Sequence, residues 1–237
     1  MRTLADASTG SDRPIGARPV PRMNHAASTR AWFVHRPPVM SAALPVVCLA
    51  RHGETAWTLS RRHTGLTDLP LTPNGEVEAV RLGKLLAGRR FAAVFASPLQ
   101  RAIRTCELAG YGRQAAIDPD LIEWNYGSYE GRTTEAIRVE RPEWQLFRHG
   151  CPSGESAQDV GGRADRVIRR IRAVAGDVLL FSSGHFLRVF SARWLGLEPG
   201  AGKYFVLGTG TLSEMGYEHD CSEPVVRVWQ ESPCRVP

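Results

Sequence analysis

Val46-Val47-Cys48-Leu49-Ala50 runs directly into Arg51-His52-Gly53-Glu54-Thr55. A short unbroken apolar run fits a strand covered on both faces, the kind found inside a parallel sheet. The abrupt change to charged and polar residues puts Arg51 and His52 where that strand ends. In open α/β sheets ligands sit beyond the carboxyl ends of the strands, so this junction is the first place to look for chemistry.

Working outward, the pattern repeats. Thr72-Pro73 predicts a helix start, with Thr72 as N-cap and proline at the first helical position. Val77, Val80, Leu82, Leu85 and Leu86 are expected to form its apolar face. Phe91 to Ala96 is a second buried strand, Arg101 to Ala109 a helix and Ala115 to Ile117 a third strand. Residues 124–155 are irregular and rich in Gly, Trp and Tyr, with a short helix expected near 133–140. Ser156 is expected to cap a long helix reaching Ala175, with Val160, Val167, Ile168, Ile171 and Val174 inward. Its run of Arg163, Arg166, Arg169, Arg170 and Arg172 is expected to form a solvated face. Asp177 to Phe181 is a fourth strand and Phe186 to Leu195 a helix. Val206 to Tyr217 and Val225 to Trp229 carry a β pattern. Strands alternating with helices imply βαβ units. The expected fold is α/β, a three-layer α/β/α sandwich with a mostly parallel central sheet, over residues 45–237.

Residues 1–44 differ from this body. They are rich in Pro, Ser, Ala and Arg without a sustained period, and are expected to be a disordered basic extension. The full chain of 237 residues has a formal charge of +6, of which this extension carries +4. The rest is nearly balanced, so the net charge is no argument for a nucleic-acid or membrane partner. No apolar run of about 18 residues is present to span a bilayer. Five cysteines at wide, irregular spacing, with no CxxC, suggest neither a zinc site nor a redox pair. Without a secretory signal pattern, a reducing cytoplasm is the expected compartment.

The strand ends carry the chemistry. Arg51-His52-Gly53 follows the first strand and Ser97-Pro98-Leu99-Gln100-Arg101 the second. Leu121-Ile122-Glu123-Trp124 follows the third and Ser182-Ser183-Gly184-His185 the fourth. Two Arg, two His and one Glu thus converge on one sheet edge. Guanidinium forks match phosphate oxygens and stay charged. A neutral imidazole can take a phosphoryl group covalently, and a carboxylic acid can protonate the leaving oxygen. Fixed donors do most of the work in phosphoryl transfer, so no metal or cofactor is required if enough Arg and His are present.

Leu49-Ala50-Arg51-His52-Gly53-Glu54-Thr55 resembles the signature of the histidine phosphatase superfamily, in its phosphoglycerate-mutase-like branch. Thr64-Gly65-Leu66-Thr67-Asp68, Leu71-Thr72-Pro73-Asn74-Gly75, Ser97-Pro98-Leu99-Gln100-Arg101-Ala102, Glu123-Trp124-Asn125-Tyr126-Gly127 and Gly154-Glu155-Ser156 follow in the family's order. The resemblance implies His52 as phosphorylated nucleophile, Arg51 and Arg101 as the phosphoryl clamp, and Glu123 as proton donor. It also implies close backbone approach at Gly53, pocket-lining roles for Thr64 and Gly65, and no metal.

Two positions depart from the family pattern. Many members have His at the position of Ser183, before Gly184. Positions two apart in an extended segment face the same way, so His185 is the expected substitute. Thr58 stands where the mutases usually have Asn, and a hydroxyl there can still bond phosphate. No paired-Arg segment occurs between 132 and 155, which favours hydrolysis over mutase chemistry. The expected activity is that of a phosphomonoesterase acting on small phosphorylated metabolites, foremost sugar phosphates. The rivals are a phosphoglycerate mutase and a non-catalytic phosphometabolite-binding protein. A homodimer is expected on frequency alone. The Cys221 and Arg227 spacing of a cysteine-dependent phosphatase loop fails, because Glu223, Pro224 and Val225-Val226 fall inside it. Gly208-Thr209-Gly210-Thr211 lacks the lysine of a P-loop and is read as a bend. Trp124, Trp144 and Trp194 are assigned to core or pocket wall. His63, His149 and His219 are left to solvent or structure.

Overall fold

The computed structural model describes residues 44–232. The expected extension, apart from Leu44, and Cys234 lie outside the described residues. The first elements are β1 (Val47–Arg51), α1 (Ala56–Leu59) and α2 (Pro73–Leu85). β2 (Ala93–Ala96), α3 (Gln100–Leu108) and β3 (Ala115–Ile117) follow. An irregular stretch holds α4 (Thr134–Glu140) and α5 (Leu146–His149) before α6 (Ala157–Arg172). The domain closes with β4 (Val178–Ser182), α7 (Gly184–Trp194), β5 (Leu212–Tyr217) and β6 (Pro224–Glu231).

The sheet order is β3-β2-β4-β1-β5-β6. β1 pairs parallel with β4, and β4 parallel with β2, which pairs parallel with β3. β5 runs antiparallel to β1, and β6 antiparallel to β5. The strand alternation of β1 shows why the sheet needs helices on both faces. Val47 and Leu49 enter one core with Val160, Val167, Phe186 and Phe190 of α6 and α7. Cys48 and Ala50 enter a second core with Leu82, Leu86 and Cys106 on the α2 and α3 side. Each fully buried Leu or Phe contributes roughly 1.5–3 kcal/mol of transfer free energy. A strand apolar at every position can be satisfied only by this three-layer arrangement.

Local signals set the helix starts. Thr72 accepts from the Gly75 N–H at 3.0 Å, with Pro73 at the first turn. Ser156 and Asp159 form a reciprocal capping box that starts α6. Three sequence expectations need correction. Val77 and Val80 are exposed; the inward face of α2 is Gly75, Ala79 and Leu82, spaced at i, i+4 and i+7, with Leu86 just beyond. α6 stops at Arg172, not Ala175. α7 begins at Gly184, so His185 lies in a helical first turn and not in an extended segment. Trp124, Trp144 and Trp194 are all fully buried, as expected.

Candidate active site

His52 sits at the carboxyl end of the central strand, with its backbone held on three sides. Its N–H donates to Ser182 O at 3.0 Å, and its carbonyl accepts from the Gly210 N–H at 3.0 Å. The Gly53 N–H donates to the Thr105 hydroxyl at 3.1 Å. His52 Nδ1 lies 2.7 Å from Gly53 O. That contact requires a proton on Nδ1 and leaves the Nε2 lone pair free. Burial, then the charges of Arg101 and Arg51, hold the imidazole well below its usual pKa, so it is neutral at pH 7.

The two arginines differ in placement. Arg51 ends β1, donates through its guanidinium to Leu207 O and faces the same cavity as His52. Arg101 is fully buried in the first turn of α3. It donates to Thr67 O at 2.9 Å, Gly65 O at 2.8 Å and Thr64 O at 3.2 Å, holding the loop that carries Thr64 and Gly65. The Nε atoms of both arginines are buried and have no hydrogen-bond partner among the described residues. Burial lowers the pKa of each.

Glu123 reaches the site from the segment after β3. Its Oε1 accepts from the N–H groups of Phe186 at 2.8 Å and Trp124 at 2.9 Å, and Oε2 accepts from the His185 N–H at 3.0 Å. The carboxyl therefore docks on the N-terminus of α7, where free N–H groups and the helix dipole favour an acceptor. Oε2, with a single N–H contact, keeps room for a further bond. The Ser182 hydroxyl donates to Leu121 O at 2.5 Å, tying this segment to β4.

The cavity measures about 170 Å³. Arg51, His52, Glu123 and His185 face it, as do Thr58 and Thr64. His185 is a member by way of the α7 first turn: its Nδ1 lies 2.6 Å from the Tyr126 hydroxyl, and burial pushes its pKa well below 6.5. Ser183 caps α7 in position only. Its hydroxyl makes no capping bond and has no partner among the described residues. The Thr58 hydroxyl donates to Thr55 O at 2.9 Å and accepts from the Thr55 N–H at 2.8 Å, so its own proton is already engaged.

The glycines show what their positions demand. A Cβ on Gly53 would lie 2.2 Å from Gly75 O, so the loop after β1 and the first turn of α2 touch backbone to backbone. A Cβ on Gly65 would lie 2.6 Å from a Glu130 carboxylate oxygen and from Trp124 O. At Gly184 it would lie 3.0 Å from the Arg51 guanidinium carbon.

Other groups facing the cavity were not singled out from sequence. His63, assigned there to solvent or structure, lies against Tyr126 at 4.8 Å and His185 at 6.1 Å between ring centroids. Burial lowers its pKa to about 4. Arg61 and Arg62 stand at the rim, and Tyr126 forms part of the wall. Glu130 accepts from the N–H groups of Gly65 and Thr67 at 2.8 and 3.1 Å. Direct adjacency to Thr64-Gly65 was the one available signal for His63. The expected solvated face of α6 holds at Arg166, Arg169, Arg170 and Arg172, which are exposed, and fails at Arg163. Arg163 is buried against Glu155 and the 120–123 backbone, while Arg166 and Arg170 pair with Asp120 and Asp118. Acidic residues just after β3 face the helix and pair with Arg166 and Arg170, a pairing that the helix sequence alone does not contain.

Residues 47–231 match the model of the histidine phosphatase superfamily (branch 1). An acid phosphatase of Mycobacterium tuberculosis is 41% identical over 175 residues, covering 72% of this chain and 86% of that protein. Sedoheptulose 1,7-bisphosphatase of Saccharomyces cerevisiae is 36% identical over 191 residues, covering 67% of this chain and 70% of that protein. The solved structure of a Mycobacterium tuberculosis open reading frame superposes with a TM-score of 0.76 at 37% identity, covering 80% of this chain and 99% of that one. The chain belongs to the histidine phosphatase superfamily, branch 1, and is a phosphatase of the histidine type. No helix among the described residues is long and apolar enough to cross a membrane.

Proposed function

We propose that the protein is a metal-independent phosphomonoesterase that hydrolyses small phosphorylated metabolites, foremost sugar phosphates, through a phosphohistidine on His52. The observation that carries this reading is the state of His52: Nδ1 anchored on Gly53 O, and the ring kept neutral by burial and by the charges of Arg101 and Arg51. A neutral imidazole with a free Nε2 lone pair is a nucleophile, and Arg51 and Arg101 offset the charge of the phosphoryl oxygens. Nε2 attacks phosphorus in line with the leaving oxygen. The P–N bond forms as the P–O ester bond breaks, and Glu123 gives its proton to the departing alkoxide. Water then attacks the phosphohistidine with the Glu123 carboxylate taking its proton. Inorganic phosphate leaves, and His52 is again neutral. His185, braced by Tyr126, and Ser183 and Gly184 beside Arg51 complete the phosphate surroundings. Gly53, Thr58, Thr64 and Gly65 shape the substrate side.

The names of the relatives, an acid phosphatase and a sugar bisphosphatase, support this substrate class. A reducing cytoplasm is part of the same proposal. A disordered extension over 1–44, a domain over 45–237 and a homodimer belong to the same proposal, with limited proteolysis and light scattering as their tests. The decisive experiment is turnover of an aryl phosphate in the presence of EDTA by wild type and His52→Ala. Wild type is expected to release phosphate and to carry acid-labile phosphate on His52, and the variant to do neither. Absence of wild-type turnover at every pH between about 5 and 8, the range spanned by ordinary histidine titration, overturns the reading. Conversion of 3-phosphoglycerate to its 2-isomer without phosphate release points to a mutase instead.

A further inference from the structure

The pair of buried Arg163 and half-buried Glu155 lies outside the cavity, yet both residues are built around the Glu123 segment. Arg163, on α6, donates from Nε to Glu155 Oε1 and from Nη2 to Glu155 Oε2, both at 2.8 Å. This is a bidentate fork of the strong type. Its Nη1 also donates to Asp120 O and Ile122 O at 2.8 Å each, and Nη2 lies 3.4 Å from Glu123 O. Glu155 works from the other side. Its Oε2 accepts from the Asn125 N–H at 2.8 Å, its N–H donates to Asn125 O at 2.9 Å, and its carbonyl accepts from the Trp124 indole N–H at 2.9 Å. The pair therefore holds the backbone on both sides of Glu123. The Arg163 guanidinium carbon also lies 5.2 Å from the Phe186 ring, and the Phe186 N–H is one of the donors to the Glu123 carboxyl.

We infer that Arg163 and Glu155 are positioning residues for proton transfer by Glu123. This rests on the reading of Glu123 as the acid above. Neither touches the cavity, and neither meets the reacting atoms. What they set is where Oε2 stands relative to the leaving oxygen. An acid displaced by about an ångström loses most of its advantage. The phosphoryl clamp and the His52 anchor use other elements (β1, α3 and the loop at 64–67), so phosphohistidine formation from an ester that needs no acid is left intact. The chemistry that exposes the pair is therefore the leaving group: an alkyl phosphate requires the proton as its P–O bond breaks, whereas p-nitrophenolate leaves without it.

The test compares kcat/KM, which reports only the steps through phosphohistidine formation and not its hydrolysis, on p-nitrophenyl phosphate and on glycerol 2-phosphate for wild type, Glu123→Gln, Glu155→Gln, Arg163→Met and Arg163→Lys, with folding followed by circular dichroism. Glu155→Gln keeps the side-chain shape, so the test survives if Arg163→Met does not fold. Loss of an oriented acid costs about tenfold or more on the alkyl ester and stays within about twofold on the aryl ester. That selective loss is expected for Glu155→Gln and Arg163→Met, with partial rescue in Arg163→Lys. Equal loss on both esters in folded variants, or no loss, overturns the positioning role. If Glu123→Gln itself shows no selectivity for the leaving group, the assignment of Glu123 fails instead, and the two failures are told apart in one data set.

Discussion

His63→Gln is expected to remove part of the protein's sensitivity to acid. His63 is packed among Tyr126, Trp144 and His185 and bonded through Nε2 to the Thr134 hydroxyl at 3.2 Å. Desolvation is the main cause of its low pKa of about 4, only partly offset by the carboxylates of Glu130 and Glu135. An unfolded histidine takes up its proton near pH 6.5, while the folded one resists until about pH 4. Between these values the unfolded chain binds more protons, so the folded state loses stability as pH falls through that window. The loss is complete at about 3 kcal/mol, with about 2 kcal/mol of it reached by pH 5. The variant has no imidazole to protonate. Urea unfolding at about pH 7.5 and about pH 5 is therefore expected to show the wild type losing about 2 kcal/mol more than His63→Gln over that interval. His52 contributes equally to both proteins and cancels in the comparison, and the His185 contribution changes little, since burial and Arg188 outrank the His63 charge in lowering its pKa. Identical losses in wild type and variant refute the argument that burial keeps His63 neutral.

Other substitutions probe separate links. Gly53→Ala places a methyl 2.2 Å from Gly75 O and 2.8 Å from its carbonyl carbon, both backbone. A loss of about 3 kcal/mol or more is expected in urea midpoint measurements, and an unchanged midpoint shows that the α2 turn can retreat. Trp144→Ala empties a fully buried site and removes the indole bond to Gly150 O at 3.0 Å. The expected cost is about 3–5 kcal/mol by chemical denaturation. His185→Ala, assayed on an aryl phosphate, is expected to lower kcat with the fold intact; full activity removes His185 from the phosphate surroundings and leaves Ser183 as the remaining candidate.

The layer order was legible because β1 is apolar at every position and because proline, threonine and serine mark the starts of α2 and α6. Convergence of Arg51, His52, Arg101 and Glu123 was legible too, since residues at the carboxyl ends of neighbouring parallel strands must meet. His185 does line the cavity, but not through an extended segment. An extended 183–185 segment was expected, and the helix instead begins at Gly184, whose lack of a side chain admits the Arg51 guanidinium.

What the sequence alone determined is the set of residues that a strand or helix end must deliver: the chain's own periodicity fixes these, and it needs no knowledge of what packs opposite. What only the tertiary structure decided is the electrostatic state and the bracing of those residues. The neutrality of His52 depends on burial and on Arg101, which arrives from another helix. The inward draw of Arg163 depends on carbonyls at 120–123 and on Glu155, none of them on the same element. Desolvation and long-range hydrogen bonds are properties of what surrounds a side chain, and surroundings are assembled from distant parts of the chain.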